Sequence, residues 1–324
     1  MTGFRTRPGG PALLTGVLLL WGCAGTGPAP IEGGPAGGGL AERSRIVILH
    51  DNDTHLHDNH RAETLAFIEG MRSRGVPVFL LSAGDIVVRH ETGWPEGAGV
   101  EWYRERGLEM FARMNEFGYD LAVPGNHELF VHGTATREIL ESARFPMVAA
   151  NIRIDTHALP RFAPYHVLET DDGRSLAVLG LSVINFEPHE GLEELDYGET
   201  VGQYLHLADE HDAMILLTHI GIRYEIELAN RFPQLAAVIG GHTHTPLTEA
   251  IRVNGVLVAQ TGGQSHREPD PEAGVLLGVV VLEFEGNELV DRCGWVLRIG
   301  PEGARPAGTY SGAGLGWEAE VPSC

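Results

Sequence analysis

Five short motifs each follow an apolar run. They are Asp53-Thr54-His55, Gly84-Asp85, Gly125-Asn126-His127-Glu128, Thr218-His219 and Gly241-His242-Thr243-His244. Together they offer carboxylates, an amide oxygen and several imidazoles, with no cysteine. That donor set suits Zn, Mn, Fe or Co and argues against a structural thiolate zinc site. Any one of these strings arises by chance in a chain of 324 residues. Five in this order, each after a strand-like stretch, do not.

The elements that must position these residues follow from periodicity. The motifs close the strings RIVILHDNDTH, VFLLSAGD, LAVPGNHE, AMILLTHIG and LAAVIGGHTH, whose apolar runs read as strands. Loops leaving the carboxyl ends of strands in an α/β sheet are where such folds build sites. Gly84, Gly125, Gly240 and Gly241 let the backbone turn tightly there. Between the strands, Ala62–Arg72 reads as a helix with Leu65, Ile68 and Met71 on one face, and Glu101–Phe117 as one with Leu108, Phe111, Ala112 and Met114 inward. Ala135–Ala143, Glu199–His211 and Arg223–Arg231 read as further helices. After Ile239 the pattern becomes β alone, with Leu247–Val253, Val256–Gln260, Gly274–Glu285 and Leu289–Ile299 as antiparallel strands and Asn254-Gly255 and Gly286-Asn287 as turns. Strand–helix alternation followed by hairpins implies α/β sheets covered by helices.

Composition excludes some partners. The net charge is −21, and all 23 basic residues are arginine. Removing residues 1–22 deletes Arg5 and Arg7 and no acid, giving 21 − 44 = −23. So acidic a surface repels a nucleic-acid polymer, whereas bound divalent cations would reverse the sign locally for a small phosphorylated substrate. Arg5 and Arg7 precede the apolar run Ala12–Trp21, too short to span a bilayer. Its end, Leu20-Trp21-Gly22-Cys23, resembles the lipobox of bacterial lipoproteins, which implies lipid on Cys23 and a place on the periplasmic side of a membrane; the alternative is an ordinary secretory signal. Residues 23–44 are rich in Gly and Pro and read as a flexible tether, residues 45–299 as the folded domain and 300–324 as a Gly/Pro/Ala-rich tail. With Cys23 lipidated, Cys293 and Cys324 remain as an even pair in an oxidising compartment, which predicts a disulfide pinning the tail.

The series DxH, GD, GNHE, H and GHxH resembles the calcineurin-like metallophosphoesterases, and ILHDNDTH, VPGNHE, VAANI and IGGHTHTPL resemble their 5′-nucleotidase branch. The resemblance runs from about Arg45 to Leu297. It implies a four-layer α/β/β/α sandwich, two mixed β-sheets flanked by helices, with two divalent metal ions at one edge. It also implies metal one on Asp53, His55, Asp85 and His244, and metal two on Asp85, Asn126, His219 and His242, with Asp85 bridging through its two oxygens. Two such ions acidify a bridging water and clamp phosphoryl oxygens, and phosphoryl transfer needs mainly positioning and charge neutralisation. His127 is then the residue that contacts the phosphoryl group and helps the leaving group, with Asn126 beside it on the same loop.

The remaining candidates surround that set. His50, His57, His60 and His90 stand near the ligands in sequence and could orient them; His132, His157, His166, His189, His206 and His211 read as solvated. Gln260, His266 and Arg267 fall on a loop where the family lines its pocket. Arg89, Arg153, Arg223 and Arg267 are the cations available to a phosphate, since lysine is absent. Two departures from the branch stand out. Its motif runs GNHEFD, whereas Phe130 stands here where that aspartate would support His127, which leaves Glu128 as a possible acceptor. And the 25 residues after Ile299 are too few for the base-stacking second domain of two-domain 5′-nucleotidases. The expected function is hydrolysis of a small phosphomonoester, with a phosphodiesterase or nucleotide-sugar pyrophosphatase as the alternative and a non-catalytic metal-binding scaffold as a third reading.

Overall fold

The computed structural model describes residues 43–57, 59–89, 94–187, 190–263, 274–308 and Cys324. The signal segment, Cys23 and most of the tether lie outside those residues, as do His90, His189, His266 and Arg267. Among the described residues no helix is long and apolar enough to cross a membrane.

The chain runs β1 (Arg43–Asp51), α1 (Arg61–Arg72), β2 (Val78–Ser82), α2 (Val100–Phe117), β3 (Leu121–Ala122), α3 (Thr134–Glu141), β4 (Ile152–Ile154), β5 (Tyr165–Glu169), β6 (Ser175–Ser182) and β7 (Leu192–Glu194). It continues through α4 (Tyr197–Tyr204), α5 (Leu207–Glu210), β8 (Ala213–His219), α6 (Ile222–Arg231), β9 (Ala237–Ile239), β10 (Ile251–Val253), β11 (Val256–Ala259), β12 (Val275–Glu285), β13 (Glu288–Gly300) and β14 (Gly303–Pro306). One six-stranded sheet has the order β14-β13-β12-β1-β2-β3 and another β10-β11-β9-β8-β6-β5; β4 and β7 form a separate ribbon. Both large sheets are mixed. β1 is parallel to β2 and antiparallel to β12, while β8 is parallel to β6 and β9.

Side-chain alternation along the strands separates the layers. Ile46 and Ile48 of β1 join Val280 and Leu282 of β12 in a core shared with Val178, Ile215, Leu217 and Ile239 of the other sheet. Val47 and Leu49, one residue out of phase, pack instead with Ile68 and Met71 of α1 and Phe117 of α2. On the far side, Leu179, Leu216 and Val238 pack with Val201, Leu228 and Ala229 of α4 and α6. Helices therefore cover the outer faces of two stacked sheets, the four-layer arrangement expected. Every one of these layers is needed, because each strand at the centre is apolar on both faces.

Several boundaries differ from the sequence reading. The predicted helix Glu199–His211 is two helices, the first starting at Tyr197 because the Asp196 side chain caps it by accepting from the Glu199 amide at 2.8 Å. Ala112 of α2 is exposed, since it lies about 100° round the helix from buried Phe111. β1 begins at Arg43, two residues inside the predicted tether, where Arg43 and Ser44 pair with Glu285 and Phe284. The tail contributes β14, antiparallel to β13. The all-β region also divides: β10 and β11 extend the sheet of β9, whereas β12 crosses to pair with β1. A disulfide joins Cys293 on β13 to Cys324, with Cα atoms 5.5 Å apart.

Candidate metal centre

β1, β2 and β3 end at the first three motifs, and β8 and β9 at the last two, so the stacked sheets deliver all five loops to one edge. Asp53 Oδ1 lies 3.2 Å from His244 Nε2, 3.8 Å from His55 Nε2 and 3.9 Å from His219 Nε2. His55 Nε2 and His244 Nε2 are 3.2 Å apart. Asp85 Oδ2 lies 3.1 Å from His219 Nε2 and 3.7 Å from His127 Nε2, and Asn126 Oδ1 is 2.9 Å from His242 Nδ1. Donor atoms of Asp53, His55 and His244 fall within 4.8 Å of one another, as do those of Asp85, His219 and His242 and those of His55, Asp85 and His127.

Two observations show that this donor set suits cations. Asp53 Oδ1 and His219 Nε2 are buried without a properly aligned hydrogen bond, although opposite charges stand close; such orphans are rare and ask for a partner. In addition, the far nitrogens are already committed. His219 Nδ1 is 2.6 Å from the Ala83 carbonyl and His55 Nδ1 3.3 Å from that of Val87, which turns each Nε2 toward the cluster.

Charge is concentrated accordingly. Burial works against the carboxylates of Asp53 and Asp85, but the neighbouring histidines, His219 foremost, hold both below the ordinary range, Asp85 well below it. Burial also works against a charged His219, yet Asp85 and Asp53 outweigh it and raise its pKa to about 10. His127 is driven the other way, down to about 3, chiefly by burial against the pull of Asp85. Its Nδ1 sits between the Val87 carbonyl at 3.0 Å and the Arg89 amide at 3.1 Å, so backbone stands where the family's aspartate was expected.

Glu128 does something other than support His127. Its fully buried carboxylate accepts from the amides of Asp85, Ile86, Val87 and Gly125 at 2.8–2.9 Å. It thereby fastens the Gly84-Asp85 loop to the Gly125-Asn126-His127 loop. Burial and the Asp85 charge push it up to about 7 against those four bonds. Glycine is required at this seam, because a Cβ on Gly125 would overlap the Asp85 carboxylate and amide.

Other predicted residues sort by position. Arg89 adjoins the centre: its guanidinium bonds Asn185 Oδ1 at 2.7 Å and lies over the rings of Phe130 and Phe186, 5.9 and 5.2 Å from their centroids. Arg153 instead pairs with Glu193 across β4 and β7, and Arg223 covers the Tyr224 ring; neither takes part in the cluster. Gln260 lies immediately after β11. It is buried, its amide committed to Glu225 and the Gly241 carbonyl. His50 is buried on β1 with its ring against Gly278, and burial lowers its pKa to about 3. His57 and His60 are half-buried on the loop leading into α1. His132, read as solvated, bonds the Arg89 carbonyl at 2.6 Å and packs among Trp94, Tyr103 and Phe130; the aromatic residues around it lie too far apart in sequence to announce the contact. His211 is likewise tied down, its Nδ1 3.0 Å from Ser175 Oγ.

Sequence reasoning missed Asn52 and Glu225. Asn52 donates to Asp53 Oδ2 at 2.6 Å and accepts from Thr261. It stands inside the DNDTH string, and its place beside a ligand could have marked it. Glu225 lies in the first turn of α6, where nothing in the sequence separates it from surface acids.

A sequence profile of the calcineurin-like phosphoesterases matches residues 46–246. The chain belongs to the calcineurin-like phosphoesterase family. That membership places it among the metal-dependent phosphoester hydrolases. It is 28% identical over 288 residues to the trifunctional nucleotide phosphoesterase protein YfkN of Bacillus subtilis, covering 76% of this chain and 18% of that protein. It is also 28% identical over 289 residues to protein UshA of Escherichia coli, covering 79% and 50% respectively. The chain thus spans half or less of the length of these curated relatives. Among solved structures, the 5′-nucleotidase precursor of Thermus thermophilus matches with a TM-score of 0.63 at 24% identity, over 80% of this chain and 55% of that one, a likeness of fold.

Proposed function

We propose that this phosphoesterase hydrolyses a small phosphomonoester, such as a nucleotide, at a two-metal centre. The observation that carries the reading is the buried ring of donors with Asp53 Oδ1 and His219 Nε2 left without aligned partners. Asp53, His55, Asp85 and His244 would hold one ion, and Asp85, Asn126, His219 and His242 the other. Bound divalent ions (Zn, Mn, Fe or Co) would acidify water and neutralise phosphoryl charge. The protein's own part is positioning. Glu128 fixes the Asp85 loop, and His127, mostly buried and with Nε2 on the Asp85 side, faces the phosphoryl group. Arg89, fixed by Asn185, adds a permanent positive charge beside His127. The B. subtilis relative, named a nucleotide phosphoesterase, supports a nucleotide as substrate.

A second reading has its own support. Phe130 occupies the place of a carboxylate partner for His127, and Arg89 sits against that ring. Both favour leaving groups that need charge neutralisation more than a proton, as in phosphodiesters with acidic leaving groups or nucleotide-sugar pyrophosphates. We further propose export and tethering through lipid on Cys23, a setting in which the Cys293–Cys324 disulfide persists.

The test is a substrate panel on chelated protein to which Mn²⁺ and Zn²⁺ are added separately, with phenyl phosphate and its bis-phenyl diester side by side. Metal-dependent turnover with a clear preference for the monoester is expected. Absence of turnover on every ester, or full activity in Asp85→Asn, refutes the function; a preference for the diester selects the second reading.

A further inference from the structure

We propose that Glu225 is the positioning residue for the second metal's imidazoles, an inference that rests on the two-metal reading above. Glu225 belongs to no motif and lies in α6, fully buried. Its Oε1 accepts from the Thr218 hydroxyl at 3.1 Å and from the Gly241 amide at 3.3 Å. Its Oε2 accepts from Gln260 Nε2 at 2.6 Å, and the same nitrogen donates to the Gly241 carbonyl at 3.1 Å. Thr218 immediately precedes His219, Gly241 immediately precedes His242, and Gln260 immediately follows β11. One carboxylate therefore joins the ends of β8, β9 and β11, and two of those ends carry a predicted ligand of the same ion.

The carboxylate packs directly against Gly240. A Cβ on Gly240 would overlap both of its oxygens and its carbon, so residue 240 is small because Glu225 is there. A buried carboxylate is costly unless its lone pairs are used, and here three donors converge on it. The other half of the centre hangs on different supports. The His242 backbone amide donates to Asp53 Oδ2 at 2.9 Å and so links the halves, but Asp53 is also held by the Asn52 amide at 2.6 Å, Asn52 by Thr261, and Asp85 through Glu128. Glu225 touches none of these. Its loss should thus fall on His219 and His242 and leave Asp53 and His55 in place.

The experiment is titration of metal-free, full-length protein with Zn²⁺ by calorimetry, and with Co²⁺ followed by its visible absorbance, for wild type, Glu225→Ala, Glu225→Gln and Gly240→Ala. Wild type should take two equivalents. Glu225→Ala and Gly240→Ala should each weaken one site about 10–100-fold, the scale of losing an orienting partner, with the other site within about threefold of wild type. Glu225→Gln keeps an oxygen for Thr218 and Gly241 and sets its new amide against Gln260 Nε2, a donor–donor contact that a flip of the Gln260 amide relieves, so it should recover part of the loss. Gly240→Ala retains the carboxylate but displaces it, so agreement between the two alanine variants excludes charge alone as the cause. Two sites of wild-type affinity in Glu225→Ala, even with lowered thermal stability, overturn the proposal, as does equal weakening of both sites. Wild type binding fewer than two equivalents overturns the two-metal reading itself.

Discussion

Without metal, raising the pH should destabilise this protein, and metal should reverse the trend. The perturbation is chelation followed by urea unfolding at a series of pH values. His219 carries the main effect, because Asp85 and Asp53 raise its pKa from 6.5 to about 10 despite complete burial. A histidine whose folded pKa is raised contributes stability that is fully present below its unfolded value and is lost as pH rises through the folded one. The window is therefore pH 6.5 to 10. Glu225, pushed up by burial from 4.5 to about 8, acts in the same direction between those values, since the unfolded chain gives up a proton that the folded one retains. The His219 shift corresponds to roughly 5 kcal/mol at 1.36 kcal/mol per pH unit, but the same ion pair also depresses Asp85 and must be counted once. Relaxation of metal-free loops reduces it further, to about 2–3 kcal/mol between pH 6.5 and 9. With Zn²⁺ in excess the His219 proton must leave for the metal to bind, so affinity, and with it stability, rises over the same window. Unfolding free energies of the chelated protein that stay flat or climb from pH 6.5 to 9 would refute the electrostatic account of the site.

Three further outcomes follow from single contacts. Gly125→Ala should lower metal affinity about 10–100-fold, because its methyl group displaces the Asp85 carboxylate; calorimetry against wild type checks it, and an unchanged affinity is the contrary result. Arg89→Ala should lower kcat/KM about tenfold or more while circular dichroism stays native, since a charge-assisted contact is lost beside His127; equal kinetics in the two proteins would remove Arg89 from the substrate's path. Reducing the Cys293–Cys324 bridge, which spans 31 residues of sequence, should cost about 3–4 kcal/mol by the chain-entropy relation. Urea midpoints with and without reductant measure it, and a difference below about 1 kcal/mol would show that the unfolded tail is restrained in another way.

What the sequence revealed and what it concealed divide along physical lines. Strands such as Ile46–Leu49 and Ala213–Leu217 announce themselves because both faces of a central strand are apolar, and the ligands follow because each terminates such a run. The assignment of β12 to the sheet of β1 was not visible. Register depends on which apolar face meets which partner, and Val279 and Val281 pack on one side while Val280 and Leu282 pack on the other; either sheet would satisfy that alternation. The helix break before Leu207 and the short ribbon of Arg153 and Glu193 were invisible for a related reason, as short elements are decided by tertiary contacts. Glu225 and Glu128 show the same limit at the site. Glu225 stands in ordinary local sequence and Glu128 inside the third motif, yet for both the convergence of donors from other loops is what sets the role.

The distribution of backbone strain ties the fold to the chemistry. Among the described residues, eight other than glycine have positive φ, and five of these are predicted ligands: Asp53, His55, Asp85, His242 and His244. Such conformations cost of order 1–3 kcal/mol each at a bulky residue. Elsewhere among the described residues positive φ falls mostly on glycine, as at Gly118 after α2 and Gly255 in the β10–β11 turn, the exceptions being Leu56, His60 and Asn254. Glycine would relieve the strain at the five ligand positions too, but it would remove the donor atoms. The strained turns are held by two buried glutamates and by Asn52, all hydrogen-bonded across loops. A site built this way keeps its donor atoms converged before any ion arrives, at the expense of crowding Asp53, Asp85, Glu128 and Glu225 into one buried edge. That crowding of acidic side chains supports the two-metal centre proposed above, because each buried carboxylate needs positive charge or donors close by.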